Sequence, residues 1–200
     1  MAWEDKLSPI MRERLARIGD MTPEEKTRIR DLEELGVILS EFYRGDIDSE
    51  GLWRRLREYK DKGKVYLLKE AQIKLLDTLS ATSAPVEFKR RKDGILAVES
   101  LKDEQNMAVV EQAMAAIDGL QTRRRSEFEQ AYNSMRARVE RNPQMRMQQI
   151  KQGKKTIVVQ LTVDEAIKVS PEWKNLVAQQ DRVYGEEFVR SVQQVKAVLA

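Results

Sequence analysis

The chain contains neither histidine nor cysteine, so any chemistry it performs falls to carboxylates, lysines, hydroxyls or a hard metal ion. Lacking histidine, it has no use of the commonest general base and transition-metal ligand. Lacking cysteine, it has no disulfide, thiolate site or sulfur nucleophile. Asp46-Ile47-Asp48-Ser49-Glu50-Gly51 opens like a calcium loop of the EF-hand type, with carboxylates at positions one, three and five and glycine at six. The bidentate carboxylate that such a loop needs at position twelve would be Arg57, and Glu58 comes one place too late. These residues are therefore expected to form a polar helix connection with Asp48 as a cap. Carboxylates also cluster at Asp31, Glu33 and Glu34 and at Glu186 and Glu187. Catalysis by a carboxyl pair needs two groups facing across a cleft in environments that separate their pKa values. Neighbours on one helix point in different directions, so these clusters are expected to be solvated. There is no glycine-rich phosphate loop. The expectation is a non-enzymatic protein with no cofactor and no metal site.

Leu161-Thr162-Val163-Asp164-Glu165-Ala166 followed by Val169-Ser170 looks like the opening of a helix-turn-helix unit. Its first helix is short, and the next begins Pro171-Glu172-Trp173, with no basic residue for a DNA groove. Thr162 and Glu165 instead read as a capping box. Trp3, Trp53 and Trp173 are expected to pack in cores. Met107, Met114, Met135, Met145 and Met147 suit irregular packing gaps, or a pliable groove for varied partners.

The net charge of +3 hides an asymmetry. Residues 123–160 hold ten basic and three acidic residues, whereas 1–83, 84–122 and 161–200 are each slightly acidic. Arg123, Arg125, Arg136, Arg138 and Arg141, with Lys154 and Lys155 beyond Pro143, are the candidate contacts for a partner or for phosphates. One reading is a surface for phosphates of a nucleic acid or membrane face. The other is a helix seam, in which arginine stems cover apolar surface and the guanidinium groups pair with acids of a neighbouring helix. Phe128 and Tyr132 are the only aromatics of this segment, which argues against base stacking and tight single-strand binding.

These residues must be positioned by helices. Ser8-Pro9 and Thr22-Pro23-Glu24-Glu25 are helix starts. After the second, Ile29, Leu32, Leu35, Leu39 and Phe42 recur at helical spacing up to Gly45. A further helix from Asp48 or Ser49 turns Leu52, Trp53, Leu56 and Tyr59 inward. A fourth, after Gly63, uses Val65, Leu68, Ala71, Leu75 and Leu79. Residues 80–85, small and ending in Pro85, separate an expected helical bundle over 1–82 from a second region over 83–200. Asp93-Gly94 lies between strand-forming runs and predicts a hairpin over 86–99. Val110, Ala113, Met114, Ile117, Leu120, Phe128, Ala131, Met135 and Val139 share one helical face, predicting one long helix over about 103–141, capped by Ser100 or Asp103. Asn142-Pro143 ends it, and a short helical piece follows. Residues 155–161 read as a strand able to join the 86–99 hairpin in a three-stranded sheet. Ser170-Pro171 starts a last helix with Trp173, Leu176, Val177, Val183, Tyr184, Phe188, Val192, Val195 and Leu199 inward.

The fold expected is thus mainly α: a bundle of short helices, then a long helix packed with a C-terminal helix, plus a small sheet of 86–99 with 155–161. Hydrophobic residues at 41% and charged residues at 34% suit amphipathic helices. With no secretory signal and no stretch long and apolar enough to span a membrane, the expected compartment is the cytoplasm. Two functions are expected from different classes. The first is an interaction or scaffold protein binding itself or a partner through the apolar stripe of 107–139. The second is a nucleic-acid-associated protein using the basic segment 123–155.

Overall fold

The computed structural model describes residues 21–152 and 155–199. Ser8-Pro9, Trp3 and Lys154 lie outside them. The described chain is mainly α: α1 (Pro23–Arg44), α2 (Ser49–Asp61), α3 (Tyr66–Asp77), α4 (Pro85–Glu99), α5 (Met107–Arg141), a 3₁₀ turn (Pro143–Arg146), β1 (Met147–Gln152), β2 (Lys155–Gln160), α6 (Val163–Val169) and α7 (Pro171–Leu199). By their contacts the residues form two compact units. One holds the described residues up to Leu75 with Asp93–Gln105, the other Leu76–Lys92 with the residues from Asn106 onward.

In the first unit, Thr22 and Glu25 close a reciprocal capping box at the start of α1, and Gly45 ends the helix at a φ of 86°. Asp48 caps α2 by accepting from the Gly51 amide at 2.8 Å, and Asp46 takes the Arg44 Nε at 2.8 Å. The core joins Leu35, Leu39 and Phe42 of α1, Leu52 and Leu56 of α2, Leu67, Leu68, Ala71 and Leu75 of α3, and Ile95 and Val98 of α4. Ile29 and Val65, expected inward, are 40% and 45% exposed; Ile38 and Leu67 bury instead.

Residues 86–99 are not a hairpin but most of α4. The helix wins because its buried residues fall at helical intervals, Phe88, Ile95 and Val98. Gly94 is there for close approach rather than for a turn: a Cβ on it would lie 2.7 Å from Phe42 Cζ. With 86–99 helical, the sheet has two strands, and the partner of β2 is β1, formed by residues expected to be a helical piece. The register runs from Met147 opposite Gln160 to Gln152 opposite Lys155. The long helix starts at Met107 rather than near 103, because both expected caps are engaged elsewhere. Ser100 Oγ accepts from Trp53 Nε1 at 3.1 Å, and Asp103 takes Lys60 Nζ at 2.6 Å.

In the second unit, α5 and α7 run antiparallel. Val110, Met114, Ile117, Leu120, Met135 and Val139 of α5 are buried, as are Trp173, Tyr184, Phe188, Val192, Val195 and Leu199 of α7. Val183, expected inward, is 48% exposed. Where the two helices meet α6, Met135, Val139, Ala166, Ile167 and Trp173 form a separate cluster. Phe128 and Tyr132 meet the Trp173 ring edge-on at 4.9 and 5.5 Å. No helix of the described residues is long and apolar enough to cross a membrane.

Candidate binding surface

The basic residues of 123–160 fall into two settings. The first is the face of α5. Arg138 makes a two-pronged pair with Glu172 of α7, Nη1 to Oε1 at 2.9 Å and Nη2 to the other oxygen. Arg123 donates to Glu187 at 3.1 Å and lies over the Tyr184 ring at 5.9 Å. Arg124, whose side chain is only 14% exposed, donates to Asp181 at 2.7 Å. Three arginines of α5 thus meet three carboxylates of α7. The spacing is that of an antiparallel pair, since 123 to 138 and 172 to 187 span equal lengths of helix. Arg136 pairs with Glu140 one turn along its own helix at 3.0 Å. Arg125 donates to Thr122 Oγ1 at 3.2 Å. The Arg138 hydrogen bond holds the Glu172 carboxyl below its ordinary range, and the Glu172 carboxylate raises Arg138 in turn. Arg141, the last residue of α5, is exposed.

The apolar stripe of α5 is covered within the chain. Met135 and Val139 pack with Ala166 and Ile167 of α6 and Trp173 of α7, Phe128 and Ala131 are half-buried against that cluster, and Val110, Met114, Ile117 and Leu120 are buried as well.

The second setting is the β1–β2 ribbon. Its root is held twice by one pair of residues: the Leu161 amide donates to the Arg146 carbonyl at 2.7 Å, and Arg146 Nε donates to the Leu161 carbonyl at 2.8 Å. Met145, Leu161 and Val163 beside the root pack on the Trp173 cluster, and Tyr132 donates to Asp164 at 2.6 Å. Beyond the root, the ribbon side chains at 147–149 and 157–160 are uncovered. Met147, Ile157, Val158 and Val159 are 55%, 44%, 56% and 37% exposed, and Gln148, Gln149 and Gln160 are exposed as well. Successive residues of a strand point to opposite faces, so Val158 and Val159 belong to different faces and neither face is buried here. Lys155 begins β2, and Lys151 lies opposite Thr156.

Regional counting of 123–160 blurs what separates these settings. From Arg141 to Val163 the sequence holds five basic residues (Arg141, Arg146, Lys151, Lys154 and Lys155) and no aspartate or glutamate. That acid-free run is legible in the sequence and spans the ribbon.

Two buried carboxylates lie elsewhere, in the first unit. Asp31 is 2% exposed; Lys64 donates to one oxygen at 2.6 Å and Tyr66 to the other at 2.8 Å. The Lys64 bond, against the cost of burial, holds Asp31 below its ordinary value, while burial and the bond to Asp31 push Tyr66 up. An open cavity of about 530 Å³ adjoins them. Glu99 accepts from Gln72 at 2.7 Å and pairs with Lys102 at 3.1 Å. Both carboxylates are engaged as clamps between helices. Among the described residues no three acidic side chains group as a metal site would.

No protein-family model matches the chain, and no curated protein or solved structure matches it.

Proposed function

We propose that this is a non-enzymatic binding protein, a helical frame that presents the β1–β2 ribbon to a partner. The observation that carries this reading is the exposure, on both faces, of the ribbon residues 147–149 and 157–160, beside an apolar helix stripe that the chain covers for itself. A two-stranded ribbon buries too little to be stable by itself, and a protein interior gains little from one that packs on nothing. Its root, in contrast, is tied to the frame through Arg146, Leu161 and the Trp173 cluster. This combination of firm base and uncovered strands suits a contact element. The helix stripe, expected from sequence to be the docking face, serves α5–α7 packing in this reading.

The experiment replaces residues 147–160 with a short Gly-Ser link and follows helicity and melting by circular dichroism. The expected result is an unchanged helical spectrum and a Tm within about 3 °C of the parent, about 1 kcal/mol for a chain this size. A broad transition, or a Tm lower by 10 °C or more (about 3 kcal/mol or more), would make the ribbon part of the fold and end the reading.

A further inference from the structure

We infer that the ribbon's partner is a second copy of this chain, joined edge to edge through β2 about a two-fold axis at Val158; this rests on the ribbon being the binding element.

The backbone is the first argument. The Leu161 amide donates to the Arg146 carbonyl, which marks 146 and 161 as a bonded pair of the ladder. Bonded and non-bonded pairs alternate along antiparallel strands, so 148 with 159 is bonded, whereas 147 with 160 and 149 with 158 are not. Residues of non-bonded pairs turn their amides and carbonyls away from the partner strand. Val158 and Gln160 therefore present the outward backbone groups of the β2 edge, and Met147 and Gln149 those of the β1 edge. An edge of this kind is a template for a further strand.

Side chains select the edge and the register. Strand edges are commonly blunted by charge or proline, and residues 156–161 hold neither. Opposite the poor strand formers Met147, Gln148 and Gln149, β2 carries the β-branched Val158 and Val159, preceded by Ile157. Antiparallel pairing of β2 with its own copy sets Val158 opposite Val158 and Ile157 opposite Val159 in both directions. Each exposed β-branched residue then meets another, and Ile157 and Val159, on one face, join their counterparts in a four-residue apolar patch. Moving the axis by one residue sets Val159 against Lys155 or Val158 against Gln160 instead. Charge does not oppose the pairing: the two Lys155 positions stand six residues apart along the strands, about 20 Å, beyond the reach of unscreened repulsion at ordinary salt. A strand of another protein would find the same backbone groups, but the match of this edge with itself favours a second copy.

The test is sedimentation velocity of the full chain from about 5 to about 500 μM. An edge this short falls below the about 1,200 Å² of a standard interface, so a weak dimer is expected, with Kd on the order of 100 μM. Its Kd should stay within about two-fold between about 50 and about 500 mM salt, because the edge is uncharged. Val158→Pro removes an outward amide and spares the ladder to β1, and is expected to weaken the dimer at least about ten-fold. Gln149→Pro makes the same change on the β1 edge and is expected to leave the dimer intact. The chain has no cysteine, so Val158→Cys gives a single thiol. Mild oxidation should cross-link two such chains, since a bonded pair stands about 5.5 Å apart between Cα atoms; Gln149→Cys should not cross-link. Circular dichroism melts confirm that each variant is folded. A monomer throughout the range overturns the inference, as does a dimer that Val158→Pro retains or Gln149→Pro abolishes. A dimer that salt disperses overturns it in favour of charged helix faces. Proline-sensitive association without the Val158→Cys cross-link overturns the axis at Val158. Failure of this inference with a folded excision variant leaves the ribbon as the binding element, whereas an unfolded excision variant removes that reading itself.

Discussion

The α5 face and the β1–β2 ribbon draw their charge from the same basic segment, yet they stand in opposite surroundings. Arginines 123, 124 and 138 lie along a helix whose antiparallel neighbour answers them with Glu187, Asp181 and Glu172. The ribbon's lysines lie in a run that contains no acidic residue. Positive charge of one sign is thus a seam in one place and a candidate surface in the other. On α5, tertiary packing delivers carboxylates from α7; along the ribbon, the sequence itself supplies none nearby. Local charge density alone ranks the two alike.

The same contrast divides stability. The frame holds the packed rings, so Trp173→Ala should cause the largest loss, about 4 kcal/mol in urea denaturation, by emptying the space between Phe128, Tyr132 and Ile167. A loss below about 1 kcal/mol would mean that the Trp173 cluster does not anchor the ribbon root, and the frame-and-ribbon contrast would break.

A buried ion pair sets a scale against which the exposed pairs of α5 and α7 can be read. Asp31→Ala should cost about 3 kcal/mol, because it strands Lys64 and Tyr66 without their acceptor. Asp31 has a lowered pKa in the folded state, so the stability it contributes is present above its ordinary value near 3.8 and is lost as pH falls through the lowered value. The difference between parent and variant should be constant from pH 7 to about pH 5 and shrink below about pH 4. A difference that grows on acidification would contradict the clamp.

Removing the answering carboxylates sharpens the comparison directly. Glu172→Gln/Asp181→Asn/Glu187→Gln frees the α5 arginines while leaving the ribbon alone. The Tm should fall by no more than about 3 °C, and the dimer's Kd should stay within about two-fold of the parent's. A dimer weakened about ten-fold or more would show that the helix seam and the ribbon belong to one interface.

The smallest effect belongs to the ribbon. Val158→Thr, at a residue 56% exposed, should change unfolding free energy by no more than about 0.5 kcal/mol. A larger loss would place Val158 against a surface that the frame supplies.

Much of the helical frame is legible in the chain. Thr22-Pro23-Glu24-Glu25 and Thr162-Val163-Asp164-Glu165 carry their capping boxes in residue types and spacing, and both form as read. The stripe of α5 and the inward face of α7 are also periodic enough to read, with Val183 the exception. These are local properties: a cap bonds within one turn, and an amphipathic face repeats along its own helix.

Residues 86–99 misled for a non-local reason. Asp93-Gly94 has the chemistry of a tight turn, but the glycine serves a Phe42 ring some fifty residues earlier in the sequence. The β1 strand was hidden likewise. Met147, Gln148 and Gln149 have no strong strand preference, and it is pairing with Gln160 and the β-branched Val159 and Val158 that holds them extended.

By itself, then, the sequence determined the mainly helical class, the caps, the apolar faces and the location of excess charge, because each depends on neighbours within a few turns. Tertiary structure decided which strand pairs with β2, why Gly94 is needed, that α7 covers the stripe, and which cations meet carboxylates. Those outcomes depend on side chains brought together across tens of residues, where residue spacing carries no record of distance.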